Sequence, residues 1–400
     1  MNSSQTVIAV GVLKESAAGE SRVALTPDGL RRLTARQVGV LVESGAGERS
    51  LYADEAYKEA GAEVVSRTEV VARCDAVLGI GPPPDELVGQ LRHGQFLLAL
   101  LQARTSPELV KRLHDQGVVA VSLDLLPRTL SSAQSMDALT SQANVAGYKA
   151  VLVAADAFPR YLPMLMTAAG TVPPAKVLVL GAGVAGLQAI GTAHRLGARV
   201  SAYDVRPAAK PEVESLGADF LDLGGPSGEG EGGYARQLSP EEQKAQRASL
   251  RDHIAQHDII ITTAQVPGRK PPLLVTREAA AGMRPGSVIV DLGASELGGN
   301  VEGSEPGSTT ATGHGVTVIG APDLPSRMPE AASEAYARNV SDLLLHFVRD
   351  GRLRVDPDDP IDAAVVVAGL PEPAPRERTP AATGSARADG APMTAREVRS

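Results

Sequence analysis

A single cysteine, Cys74, stands in 400 residues, so the chain can form no internal disulfide. A reducing compartment is its natural setting. No Cys/His grouping has zinc-ligand spacing, and the seven histidines are scattered; no metal is expected. Basic charge is also short. The net charge is -8 and the pI is near 5.5, which argues against nucleic acid or an anionic membrane surface as main partner and reads as solubility. Long apolar runs are missing. The most apolar stretch, residues 96–101, falls far below the ~18 residues that a membrane span needs. Residues 1–16 run straight into a strand-like segment, with no basic region, apolar region and cleavage site in order, so they read as no signal peptide. The expectation is a soluble chain that reaches a membrane only through a protein partner.

Glycine is plentiful, at 41 residues, while aromatics make up 3%. Short β-rich runs at 7–11, 38–42, 76–80, 96–100 and 118–121 are separated by segments that read as helices, among them 26–37, 54–61 and 106–116. Thr26-Pro27 and Ser106-Pro107 each place a capping hydroxyl before a proline at the first helical position. Alternation of this kind predicts parallel sheet with crossover helices. A second series follows at 176–180, 198–203, 258–262, 287–291 and 316–319. These runs are apolar almost throughout, as strands buried on both faces are. The fold class is therefore α/β: two Rossmann-like, doubly wound parallel-sheet domains with a cleft between them. A helix within 135–169 joins them, broken near 158–165 by Pro159 and Pro163. Residues 330–349 carry an amphipathic helical pattern expected to return to the first domain. The expected domains are 1–140 plus 326–368, then 141–325. From 369 to 400 the composition turns to Pro, Ala, Gly, Ser and Arg, and reads as a disordered tail.

The chemistry concentrates at Gly181-Ala182-Gly183-Val184-Ala185-Gly186. The apolar run 177–180 feeds into it, a helical stretch follows to Leu196, and a second strand ends at Asp204. Gly181 permits the tight turn, Gly183 lets backbone approach a pyrophosphate, and Gly186 lets helix pack on strand. The helix N-terminus offers free N–H groups and positive dipole to phosphates. Asp204 is placed to accept from ribose hydroxyls and to repel a 2′-phosphate, which favours NAD(H) over NADP(H). Arg206, two residues on, leaves two readings: a charge that blurs this preference, or, the favoured one, the start of the next loop with Pro207.

At this point the chain resembles a known family over roughly 6–350: the NAD(H)-binding component, the soluble portion of the alpha subunit, of proton-translocating NAD(P) transhydrogenase, which shares its fold with alanine dehydrogenase. The blocks that carry the resemblance are Pro127-Arg128 with 133–139, then 143–148, 167–175, Gly233-Tyr234-Ala235, 262–268 and Gly298-Gly299-Asn300. The resemblance implies that Arg128, Gln134 and Asp137 form the loop lying against a nicotinamide. Thr140 keeps a hydroxyl where relatives have serine. Tyr234, at the end of a glycine-rich stretch, is implied to belong to a loop closing over bound nucleotide. Val184, Val205, Thr263, Ala264 and Gln265 complete the implied cofactor-binding set. Two departures stand out: one extra residue between Arg128 and Gln134, and Gln265-Val266 in place of Leu-Ile.

What the resemblance implies is direct hydride transfer between NAD(H) bound here and NADP(H) on a partner subunit. That chemistry needs two nicotinamides close together with water excluded, and no acid, base or metal. The implied assembly has this component as a homodimer, a separate NADP(H)-binding subunit and a membrane subunit that moves protons. The location is cytoplasmic, peripheral on the cytoplasmic face of the inner or plasma membrane. Two rivals remain. An alanine-dehydrogenase-like enzyme would share Glu20-Ser21-Arg22-Val23-Ala24, but it needs a Lys and a His at strand ends that here read Gly79-Ile80-Gly81 and Leu100-Leu101-Gln102. Glu15 and Arg22 then read as structural remnants. A non-catalytic NAD-sensing module is the other, and it would have no use for a nicotinamide-side loop.

Overall fold

The computed structural model describes residues 8–224, 228, 236, 238–265 and 270–369. The first half alternates as the sequence pattern requires. Strands β1 (Ala9–Val12), β2 (Gly39–Glu43), β3 (Glu63–Val65), β4 (Ala76–Leu78), β5 (Phe96–Ala99) and β6 (Val119–Ser122) are joined by helices α1 (Pro27–Thr34), α2 (Asp54–Glu59), α3 (Arg67–Arg73), α4 (Asp85–Gln90) and α5 (Pro107–Asp115). Thr26 caps α1 by accepting the Gly29 N–H at 3.2 Å. Ser106 precedes α5, but its side chain makes no capping bond and its backbone (φ -124°, ψ 57°) is not the usual extended cap. The proline alone marks that helix start.

Helix α6 (Ala138–Ala157) crosses to the second half and stops just before Pro159. A short antiparallel hairpin follows, β7 (Leu165–Thr167) and β8 (Gly170–Val172). Then come β9 (Lys176–Leu180), α7 (Val184–Arg195), β10 (Arg199–Tyr203), α8 (Lys210–Ser215), β11 (Asp219–Phe220), α9 (Pro240–Ala255), β12 (Ile259–Thr262), α10 (Arg277–Ala281), β13 (Val288–Asp291), β14 (Thr309–Ala311) and β15 (Thr317–Gly320). The chain ends its described region with α11 (Pro329–His346), a small β16 (Val348–Arg349) and β17 (Arg352–Leu353) ribbon, α12 (Pro360–Val365) and β18 (Val366–Ala368).

Both large sheets are doubly wound. The first has the order β18-β6-β5-β4-β1-β2-β3 and the second β11-β10-β9-β12-β13-β15-β14. Each is parallel except for one antiparallel edge strand, β18 on β6 and β14 on β15. The apolar runs are buried on both faces. Val177 and Val179 of β9 enter one core, and Leu178 and Leu180 enter the other. Val10 and Val12 lie in the core on one face of the first sheet, and Val77 and Leu97 in the core on its other face. That double burial is why these strands read as continuous rather than alternating.

Helix α11 belongs with the first sheet: Tyr336, Ala337, Val340, Leu343 and Leu344 are fully buried in its core. The Tyr336 hydroxyl donates to the Gly79 carbonyl at 2.7 Å. Gly369 remains packed against Val118 and Val119. Tyr234, residues 266–268 and the tail from 370 lie outside the described residues.

Candidate functional site

In each doubly wound sheet the winding reverses between two central strands, and ligands settle in the crevice beyond their carboxyl ends. In the second sheet that point lies between β9 and β12. The glycine loop follows β9 and Thr263 follows β12. The Thr263 hydroxyl donates to the Gly181 carbonyl at 2.9 Å, which stitches the two strand ends together.

The three glycines are not equivalent. Gly181 sits at φ 105°, a left-handed region costly for other residues. A Cβ on Gly186 would stand 1.9 Å from the Gly181 carbonyl oxygen. A Cβ on Gly183 would meet nothing within 4 Å. Gly181 and Gly186 are therefore fixed by packing of the fold itself, whereas Gly183 guards open space. That space lies at the start of α7, whose first N–H groups point outward. It is a cradle that fits a pyrophosphate. Val184 borders it and is partly buried.

Asp204, just beyond β10, is tied into this turn. Its Oδ2 accepts the Ala182 N–H at 2.8 Å. Arg206 does not simply begin the next loop, as its sequence position suggested; it folds back onto Asp204. Its backbone N–H and Nε both donate to Oδ1 at 2.9 Å, and Nη2 donates to Oδ2 at 3.0 Å. Pro207, which has no N–H to donate, starts a short 3₁₀ turn, Pro207–Ala209, directly after Arg206. Val205 lies partly buried between the two.

A second cluster forms at the start of α6. Asp137 is its N-cap, with Oδ1 accepting the Thr140 N–H at 2.8 Å. Oδ2 accepts the Thr140 hydroxyl at 2.6 Å and Arg128 Nε at 2.9 Å. Arg128 Nη2 also donates to the Thr140 hydroxyl oxygen at 2.7 Å. The structure thus brings Arg128, Asp137 and Thr140 into one knot, with the 3₁₀ helix Ser131–Met136 between Arg128 and Asp137. Gln134 is exposed on that helix, while its neighbours Ala133 and Met136 anchor it in the core. Asn339 of α11 donates to the Ser135 carbonyl at 2.8 Å and fixes the turn from behind.

Helix α6 joins the two clusters. At Gly147 it touches α7 so closely that a Cβ there would stand 2.1 Å from the Ala185 carbonyl oxygen. Asp137 lies ten residues before that contact, about 15 Å along the helix axis at roughly 1.5 Å per residue. No hydrogen bond joins the two clusters directly among the described residues.

The loop after β12 is held by residues to which sequence reasoning gave no role. Asn300 Nδ2 donates to the Ala264 and Pro272 carbonyls, both at 2.8 Å. Gln265 is exposed, and its Nε2 donates to the Leu292 carbonyl at 2.6 Å. Buried Asp291 accepts from the Thr262 hydroxyl, the Gly293 N–H and the Val301 N–H. Gly299 is demanded here, since a Cβ would lie 2.2 Å from Asp291 Oδ2. The Gly298-Gly299-Asn300 block was the available signal.

The first sheet has its own reversal point, between β1 and β4. No glycine loop follows β1. Glu15 lies there instead, its Oε1 accepting the Ile80 N–H at 2.6 Å. Burial, joined by nearby Glu20, pushes its carboxyl up to about 7 despite that hydrogen bond. Arg22 pairs with Glu20 at 2.6 Å and donates to Gln142 of α6 at 2.8 Å. Both residues are committed to the framework.

Comparison with known proteins decides the family. Residues 11–146 match the alanine dehydrogenase/PNT N-terminal domain, and residues 150–369 match the C-terminal domain of the same name. The chain belongs to the alanine dehydrogenase/PNT family. It is 41% identical over 361 residues to the NAD(P) transhydrogenase subunit alpha of Haemophilus influenzae, covering 90% of this chain and 70% of that protein. It is 43% identical over 349 residues to an NAD(P) transhydrogenase subunit alpha protein of Rhodospirillum rubrum, covering 85% of this chain and 90% of that one. A solved transhydrogenase structure from Sinorhizobium meliloti is 42% identical, with a TM-score of 0.81, over 90% of this chain and 98% of that one. No helix among the described residues is long and apolar enough to cross a membrane.

Proposed function

We propose that this chain is the NAD(H)-binding subunit of a proton-translocating transhydrogenase, passing hydride directly between NAD(H) held here and NADP(H) on a partner subunit. The observation that carries the reading is an asymmetry between two equivalent crevices. The reversal point of the second sheet has a glycine cradle, a helix N-terminus and Asp204. The equivalent point of the first sheet has the Glu15 carboxyl and no cradle. No glycine turn opens that point to a phosphate, so in this reading the described residues offer one dinucleotide cradle. Transfer between two nicotinamides then requires a second polypeptide.

Within this reading, residues 1–140 with 326–368 form one domain and 141–325 the nucleotide domain. Gly181, Gly183, Val184 and Gly186 receive the pyrophosphate. Asp204 and Val205 receive the adenosine half, and Thr263, Ala264 and Gln265 line the opposite wall. Arg128, Gln134, Asp137 and Thr140 orient the nicotinamide end. Tyr234 closes the site, as lid residues do. The nucleotide supplies the hydride; the side chains bind, orient and exclude water.

The partners are a second copy of this chain, an NADP(H)-binding subunit and a membrane subunit, with the complex on the cytoplasmic face. A second copy is supported by the hairpin. Met164, Met166 and Val172 are 54%, 77% and 39% exposed there, beside Tyr161 at 62%, an apolar surface of the kind that partners cover.

The test is to mix the protein with NADH, an NADP⁺ analogue and a partner NADP(H)-binding subunit, and separately with NAD⁺ and L-alanine. The reading expects transfer in the first mixture alone. Alanine-dependent NADH formation would replace it with amino-acid oxidation, and NADH binding with silence in both would replace it with a sensor.

A further inference from the structure

Asp204 is saturated. An ionised carboxylate offers about four lone-pair positions, and four N–H donors occupy them: Ala182 N, Arg206 N, Arg206 Nε and Arg206 Nη2. The Asp204 side chain is 7% exposed, so little of it faces solvent. Two of the donors are backbone groups that fix the glycine turn and the turn after β10. The other two come from one guanidinium, 22% exposed, at the end of a long side chain. The same guanidinium reaches the Ala182 carbonyl at 3.4 Å, at the lip of the glycine loop.

A ribose diol that approaches Asp204 therefore meets a carboxylate already taken. The backbone donors cannot move without undoing the turn. The places the hydroxyls need are those held by Nε and Nη2. The geometry points to an exchange: the diol takes those positions and Arg206 swings off, still tethered two residues from Asp204. We propose that Arg206 sets coenzyme discrimination in this site. Clasped on Asp204, it competes with the ribose and weakens NAD(H). Released, its charge stands where a 2′-phosphate would lie and softens the rejection of NADP(H). The inference rests on the coenzyme site proposed above.

Arginine suits both states, since its planar fork pairs with carboxylate or phosphate alike. Lysine keeps the charge but cannot hold both oxygens of Asp204 in this geometry.

The experiment measures dissociation constants of NADH and NADPH, by calorimetry on the full chain, for the unaltered protein, Arg206→Ala and Arg206→Lys. For Arg206→Ala, NADH is expected to bind roughly three- to tenfold tighter, the scale of one released hydrogen bond. NADPH is expected to bind about tenfold weaker. Arg206→Lys is expected to tighten NADH while holding NADPH near its original affinity; it also keeps the question answerable if the alanine variant folds poorly. Equal weakening of both coenzymes, or an unchanged preference in both variants, overturns the proposal while leaving the site intact. An unaltered protein that binds neither coenzyme sinks the site reading, and this inference with it.

Discussion

Arg128 lies on Asp137, Nε to Oδ2 at 2.9 Å, and the two bracket the 3₁₀ helix that presents Gln134. The pair closes a loop that Ala133, Met136 and the Asn339–Ser135 hydrogen bond also hold against the core. Asp137 has a second duty as the cap of α6. The two partners should therefore fail differently. Asp137→Ala loses the cap and the Arg128 contact together, and is expected to lower stability by about 2 kcal/mol. Arg128→Ala leaves the cap and should cost under about 1 kcal/mol. Both should slow hydride transfer to the partner subunit at least tenfold, about the penalty of a misplaced ring. Urea unfolding gives the first comparison and transfer kinetics the second. Full-speed transfer in Arg128→Ala would remove that residue from the site.

The glycine loop separates folding from binding. Gly186→Ala places a Cβ 1.9 Å from the Gly181 carbonyl oxygen. It should destabilise the protein by about 3 kcal/mol or abolish folding. Gly183→Ala enters open space at φ -79°. Its melting temperature should stay within about 1 °C of the parent, while NADH binding weakens about tenfold or more, because the added methyl occupies the phosphate path. A Gly183→Ala protein with normal affinity would show that phosphates do not pass there.

Asn300 donates to the Ala264 and Pro272 carbonyls, the two flanks of one loop, so its loss should be felt locally first. Asn300→Ala removes both bonds and leaves two carbonyls without them, a cost of about 2 kcal/mol. Asn300→Asp should be worse, since a carboxylate would face two carbonyl oxygens. Hydrogen exchange of the residues flanking the loop is the direct measurement. Protection unchanged in both variants would show that the staple is dispensable.

Glu15 gives a pH signature. Burial lifts its carboxyl to about 7 in the folded chain, above the ordinary 4.5. The folded state thus holds this proton more tightly than the unfolded state does. Its contribution is fully present below pH 4.5 and is lost as pH rises through about 7. Glu15→Gln stays neutral and still accepts the Ile80 N–H. It should match the parent near pH 4.5 and exceed it by roughly 3 kcal/mol at about pH 8. Denaturant titrations of both proteins across that range test this; parallel curves would place an ordinary, solvated carboxylate at Glu15.

The two doubly wound sheets were legible because their strands are buried on both faces, and that leaves a mark in every residue. Edge strands leave less. β18 is three residues long and pairs on one side only, and β3 carries an exposed Glu63. The apolar run 363–368 spans the end of α12 and all of β18, so nothing in it separates strand from helix, and β3 has only Val64 and Val65. The glycine loop was legible because Gly181 and Gly186 are dictated by packing at short range. Asp204 could be placed by its distance along the chain, but its saturation could not, because that depends on Arg206 folding back just before Pro207. Asn300 was visible as a motif and mute as a function, since its partners lie 36 and 28 positions distant. Residue type marks what is local; pairing across the fold has to be seen.

The return of α11 and β18 to the first sheet has a mechanical result. The chain crosses between the two sheets twice, once through α6, which packs into the second sheet's core, and once into α11, and the two helices pack on each other. A backbone cut near residue 323 would therefore sever one of the two crossings and leave the packed pair of helices as the bond between the halves.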